Sequence, residues 1–123
     1  MARKKILVVD DSGTARMIEQ MALGRASYDV VQAKDGAEAV QVAAREKPDL
    51  ILMDVMMPNM DGYAACRGIR AQPVTRDIPV IMVTTRGEPV NVETGYASGC
   101  NDYVTKPVNT PELLAKVRSL IGE

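Results

Sequence analysis

"KKILVVDDSG" (residues 4–13) runs four apolar residues, Ile6 to Val9, straight into two adjacent acids, Asp10 and Asp11. A continuous apolar run, as opposed to in/out alternation, predicts a strand covered on both faces, as in a parallel sheet. Two carboxylates where such a strand leaves the core are costly to desolvate unpaired, so a cation is expected beside them.

Four comparable runs follow, at Tyr28–Val31, Leu50–Met53, Ile78–Val83 and Tyr103–Val104, with segments of helical period between them. Ser12 can cap the first helix, and Ile18, Met21 and Ala22 read as its apolar face. Asp35, three residues before Glu38, has the form of a capping box. Tyr63, Cys66 and Ile69 repeat at helical spacing in the third segment. In "NTPELLAKVRSLIGE" (109–123), Thr110 can cap, Pro111 suits the first turn, and Leu113, Leu114, Val117, Leu120 and Ile121 form one stripe that Gly122 stops. The order is β-α five times over, which predicts a doubly wound α/β sandwich with right-handed crossovers, as one domain over residues 1–123. "EPVNVETGYASG" (88–99) is rich in residues that disfavour helix, so a short or mobile fourth helical element is expected over 90–97.

The bulk numbers narrow the function. The chain has 123 residues, a net charge near −1, no basic run beyond Arg3-Lys4-Lys5, and four tyrosines as its only aromatics. Neither electrostatics nor stacking makes a case for nucleic acid or an anionic membrane. Cys66 and Cys100 form no CxxC and read as reduced, partly buried thiols in unlike settings in a cytosolic protein. The first apolar run is too short for a signal peptide and no stretch approaches a membrane span, so a cytoplasmic protein is expected.

In an open α/β sheet, ligands bind outside the carboxyl ends of the strands. Here the first strand ends in Asp10 and Asp11, the third in Asp54, the fourth in Thr84 and Thr85, and the fifth in Thr105 and Lys106. The second ends in no comparable group, as suits an edge strand. Three carboxylates are neutralised by Lys106 and one divalent ion, and hard oxygen ligands suit Mg²⁺ at about 2.1 Å. Asp10 or Asp11 with Asp54 would hold it, helped by a backbone carbonyl after Asp54. A carboxylate beside Mg²⁺ can attack a phosphoryl group and become an acyl phosphate. Asp54, on the middle strand, is the best-placed nucleophile, and Thr84, directly after "IMV", is preferred to Thr85 as a hydroxyl donor. The methionines at 53, 56, 57 and 60 read as packing, and Met57-Pro58 and Gly62 as loop shape.

"ILVVDDS", "LILMDVMMPNMDG", "PVIMVTT" and "DYVTKP" together resemble the receiver domain of two-component response regulators, of the chemotaxis type. The resemblance runs from about Lys5 to Leu120. It implies a flavodoxin-like (βα)5 fold with parallel strand order 2-1-3-4-5. It implies that Asp54 accepts phosphate from a histidine kinase, and that Asp10, Asp11 and Asp54 hold Mg²⁺ with the Met56 carbonyl. Thr84 would be the switch hydroxyl, and Lys106 the phosphate-binding cation, with a cis bond to Pro107. Tyr103 stands where the family carries an aromatic that turns inward on activation. Met56 and Arg86 occupy the two positions that help set the rate of phosphate loss. Neither resembles the amide and acid of the fast chemotaxis members, so a longer phosphoryl lifetime is expected.

The partners so implied are a sensor histidine kinase or phosphotransfer protein and a downstream target protein, with no nucleic acid and no membrane. Because no output domain follows Glu123, output is expected through protein contacts at the fourth helical segment, fifth strand and C-terminal helix, by a monomer or a phosphorylation-dependent homodimer. No enzymatic activity is expected beyond the chain's own phosphoryl transfer and dephosphorylation. Three other readings compete with this one. A Mg²⁺-dependent aspartyl phosphatase typically needs Asp-x-Asp and a cap, and here the acids are adjacent with no residues to spare. A receiver-like scaffold that is never phosphorylated would usually have lost an acid, the Thr or the Lys. The third is a receiver excised from a longer regulator.

Overall fold

The apolar runs become five strands: β1 (Lys5–Val9), β2 (Asp29–Ala33), β3 (Leu50–Asp54), β4 (Val80–Thr85) and β5 (Asp102–Lys106). All pair in parallel, in the order β2-β1-β3-β4-β5, so β2 is an edge strand. Helices α1 (Gly13–Arg25), α2 (Gly36–Glu46), α3 (Gly62–Ala71) and a C-terminal helix (Thr110–Ile121) connect or follow them. The computed structural model describes residues 3–85 and 96–122. Arg86 and most of the weak fourth helical segment expected over 90–97 lie outside the described residues.

Both faces of the sheet are covered, which accounts for the unbroken apolar runs. Leu7, Val9, Ile51, Met53, Val80 and Met82 pack with Ala39, Val42, Ala65, Cys66 and Ile69 of α2 and α3. Ile6, Val8, Leu50, Leu52, Ile81 and Val83 pack on the opposite face with Leu23, Leu113 and Val117. Successive strand residues point to opposite faces, so an alternating sequence would have left one layer without partners.

Three helix starts follow local chemistry. Ser12 accepts a bond from Ala15 N at 3.2 Å. Asp35 accepts from Glu38 N at 2.8 Å, while Glu38 accepts from Lys34 N at 2.7 Å, so the return bond of the box lands one residue before the cap. The C-terminal helix is capped by Asn109 instead of Thr110, through a 2.9 Å bond from Glu112 N. Asparagine is the stronger cap, and Thr110 becomes the first helical residue with Pro111 behind it.

Other readings are overturned. Ile18 and Met21 are 58% and 53% exposed, and the buried residues of α1 are Glu19 and Leu23. Apolar residues at 17, 18, 21, 22 and 23 wrap around more than one face of this helix, so their period does not choose the inner one. Cys66 and Cys100 do not lie in unlike settings. Both are buried in the same apolar layer, where burial pushes the Cys66 thiol up and the Cys100 thiol to about 11. Met53, Met57 and Met60 pack against that layer, but Met56 is 59% exposed and packs little. Among the described residues, no helix is long and apolar enough to cross a membrane.

Candidate functional site

The sheet order sets β1 beside β3 at its centre, and both strands run out into acids at the same edge. Asp10, immediately after β1, is fully buried, and Asp54, the last residue of β3, nearly so, while Asp11 faces solvent. Asp10 is fixed by its backbone and its carboxylate: its N–H donates to Ala33 O at 3.3 Å, and its Oδ1 accepts from Ser12 N at 2.9 Å. One carboxylate oxygen from each of Asp10, Asp11 and Asp54 falls within 4.8 Å of the others.

The cation expected beside "VVDD" is Lys106. It closes β5, separated from β1 in the sheet by β3 and β4, and its Nζ donates to Asp10 Oδ2 at 2.7 Å and lies 3.6 Å from Asp54 Oδ1. The Lys106-Pro107 peptide is cis. Burial pulls the Lys106 ammonium down, but its bond to Asp10 and the charges of Asp54, Asp10 and Glu19 outweigh it, so its pKa is raised.

Gly62 has a definite part in this geometry. A Cβ there would meet the Asp54 carbonyl oxygen at 2.3 Å, and Gly62 N donates to Val55 O at 2.9 Å. The loop after Asp54 therefore folds back over the end of its own strand, and Asp61 caps α3 through Ala64 N at 2.8 Å. Thr84 is buried one residue beyond Val83, the register partner of Asp54, which sets it at the same edge. Tyr103 stands apart from the carboxylates. It is half-buried and meets the Tyr96 ring edge-on at 5.6 Å, and burial pushes its hydroxyl above the ordinary phenol range. Met56 turns its side chain to solvent two residues after Asp54.

Three carboxylates against one ammonium leave the cluster two charges negative, and the strain shows in its protonation. The Asp54 carboxyl is pushed up to about 6, by burial first and by Asp10 next, against the pull of Lys106. A fourth carboxyl, missed in the sequence, belongs to the neighbourhood. Glu19 of α1 is 3% exposed and pushed up to about 8, by burial first, then by Asp10, with Lys106 opposing and Asp54 adding. Its signal was the Ala15-Glu19-Leu23 spacing, a stripe along one helix face that a glutamate disguises. An all-oxygen, doubly negative donor set of this kind fits a hard divalent cation.

The chain matches the family model described as "Response regulator receiver domain" over residues 6–118. It is 40% identical over 117 residues to the DNA-binding dual master transcriptional regulator RpaA of Synechocystis sp., covering 95% of this chain and 48% of that protein. The chain thus spans about half the length of RpaA. Among solved structures, chemotaxis protein CheY4 of Vibrio cholerae superimposes with a TM-score of 0.90 at 34% identity, over 97% of this chain and 99% of that one. The receiver domain of sensor histidine kinase PA1611 from Pseudomonas aeruginosa superimposes with a TM-score of 0.90 at 36% identity, over 99% and 100% of the two chains. That structure carries a magnesium ion coordinated in its active site cleft. These relatives correct one expectation: nucleic acid is not excluded from the partners, since RpaA is a DNA-binding regulator. The near-neutral charge balance speaks only for the receiver segment, and a contact made elsewhere in a longer assembly leaves no trace in it.

Proposed function

We propose that this chain, which belongs to the response regulator receiver family, is a phospho-acceptor switch in which Asp54 takes a phosphoryl group from a histidine kinase. The observation that carries this reading is the placement of Asp54: buried at the end of the central strand, within 4.8 Å of two further carboxylates and 3.6 Å from the Lys106 ammonium. One Asp54 oxygen attacks phosphorus, the phosphorus–nitrogen bond to the donor imidazole breaks, and the imidazole keeps the electron pair and takes a proton. Asp10, Asp11, Asp54 and the Met56 carbonyl would hold Mg²⁺, which neutralises the transferring oxygens when bound. Lys106 leaves its aspartates for a phosphoryl oxygen, and the Thr84 hydroxyl donates to another.

Phosphorylation adds roughly one negative charge at Asp54. Thr84 moves toward it, Tyr103 turns into the space released, and the surface that β5 shares with its flanking helices changes for a protein partner. The exposed Met56 side chain offers no polar atom to orient an attacking water, so the acyl phosphate outlasts that of the fast chemotaxis members. A second reading, in which the receiver governs a DNA-binding regulator, is supported by the similarity to RpaA.

Intact mass after incubation with acetyl phosphate tests the reading. One phosphoryl adduct is expected on the wild type with Mg²⁺, and none without Mg²⁺ or in Asp54→Asn. An adduct that survives Asp54→Asn, or none under any condition, would overturn it. Decay of the adduct then reads the lifetime, which Met56→Asn should shorten.

A further inference from the structure

Glu19 is a polar group that the switch chemistry leaves unused. It is buried on the α1 face that also buries Leu23, while Met17, Ile18 and Met21 of the same helix are exposed. A helix that turns a carboxyl inward and apolar side chains outward runs against ordinary burial preference. Glu19 and Lys106 line one cavity of about 180 Å³, walled otherwise by Ala15, Ile18, Pro107 and Val108. Among the described residues, the Lys106 ammonium pairs with Asp10 and Asp54 and not with Glu19.

Asp10 Oδ1 accepts from Ser12 N and its Oδ2 from Lys106, so a divalent cation held on Oδ2 shares that oxygen with the ammonium and weakens its hold. We propose that Glu19 is a positioning residue for Lys106, a second anion in the same cavity toward which the ammonium shifts when Asp10 and Asp54 give their oxygens to a divalent cation. This rests on the receiver reading above. A half-buried ammonium whose hold on its partners weakens gains from a further anion within reach, and the flexible lysine stem lets it move. Burial first, and the charge of Asp10 next, push the Glu19 carboxyl up to about 8 against the pull of Lys106; a cation on Asp10 offsets that second contribution, and a closer ammonium favours the ionised form further.

The test is a thermodynamic cycle on Mg²⁺ affinity, measured by calorimetry without any phosphodonor on the full chain at pH 7.5. The four proteins are wild type, Glu19→Gln, Lys106→Met and the double variant. Glu19→Gln should weaken Mg²⁺ binding about fivefold when Lys106 is present and leave it unchanged in the Lys106→Met background. The Lys106 side-chain NMR resonances should shift on Mg²⁺ addition in the wild type and shift much less in Glu19→Gln. An equal loss in both backgrounds, or no loss in either, would overturn the proposal while the receiver reading stands. A wild type that binds no Mg²⁺ overturns both. Glu19→Leu, which matches Leu23 one turn on, runs the same cycle should the glutamine variant fail to fold.

Discussion

The two ends of this sheet use the same side chains to opposite effect. At the amino end Lys5 meets Glu46 at 3.0 Å and Arg3 meets Asp29 at 3.3 Å, with Arg3 and Asp29 about half exposed, Lys5 and Glu46 partly so, and none of the four buried. At the carboxyl end Lys106 meets Asp10 at 2.7 Å, and Asp10 is fully buried. Water screens the first group, whose ionisation costs little, whereas in the second each charge depends on its neighbours. One end is therefore a solvated surface and the other a site whose carboxylates outnumber its ammonium.

That contrast can be broken most forcefully by removing one lysine from each end. Lys106→Met should cost about 3 kcal/mol of stability in the metal-free chain, because it strands a buried carboxylate. Lys5→Met, the matched control, should cost under about 1 kcal/mol. Equal effects in urea unfolding would erase the distinction. Next in size, Mg²⁺ at roughly a hundred times its Kd should stabilise the fold by about 2.7 kcal/mol, and Asp54→Asn should remove much of that gain. A Tm indifferent to Mg²⁺ and EDTA would deny that the carboxyl end is a metal site.

A smaller effect concerns pH. Asp54 at about 6 and Glu19 at about 8 keep protons in the folded chain where their ordinary values, 3.8 and 4.5, release them in the unfolded one. Unfolding then releases protons, so the metal-free fold loses stability as pH climbs from about 4 toward 8. Glu19→Leu should flatten the upper part of that slope and stabilise the chain by about 1–2 kcal/mol at pH 8. Denaturation across pH checks it, and an unchanged slope would place Glu19 outside the charge cluster. Smallest of all, raising salt should alter the Lys5–Glu46 pair more than the Lys106–Asp10 pair, as a double-mutant cycle at two ionic strengths would read.

Much of the carboxyl end was legible because strand chemistry is local. An apolar run that stops at an acid, as at Val9-Asp10 and Met53-Asp54, announces both the strand and the residue at its end, and the parallel order then gathers those residues at one edge. Lys106 could be paired with Asp10 by charge alone. Helix α1 was not legible in the same way. Its inner face is chosen by contact with β1 and the C-terminal helix, and Glu19 reads as a solvent-facing residue until that packing is known. The cap at Asn109 was misplaced by one residue because Thr110 and Asn109 both have capping side chains, and only backbone geometry separates them. The place of Tyr103 on the fifth strand was legible, but not its ring contact with Tyr96, which depends on tertiary placement.

The glycine beneath Asp54 separates two properties that a signalling protein must set independently. Main-chain contact at Gly62 and Val55 steers the loop from below, with no room for a side chain, while the Met56 side chain points away into solvent. The path of the Met56 carbonyl is thus governed by backbone with no room for a side chain at Gly62, while the side chain at position 56 is free to change. On the proposed phospho-acceptor reading, one outward substitution there would reset the lifetime of the signal and leave the architecture untouched.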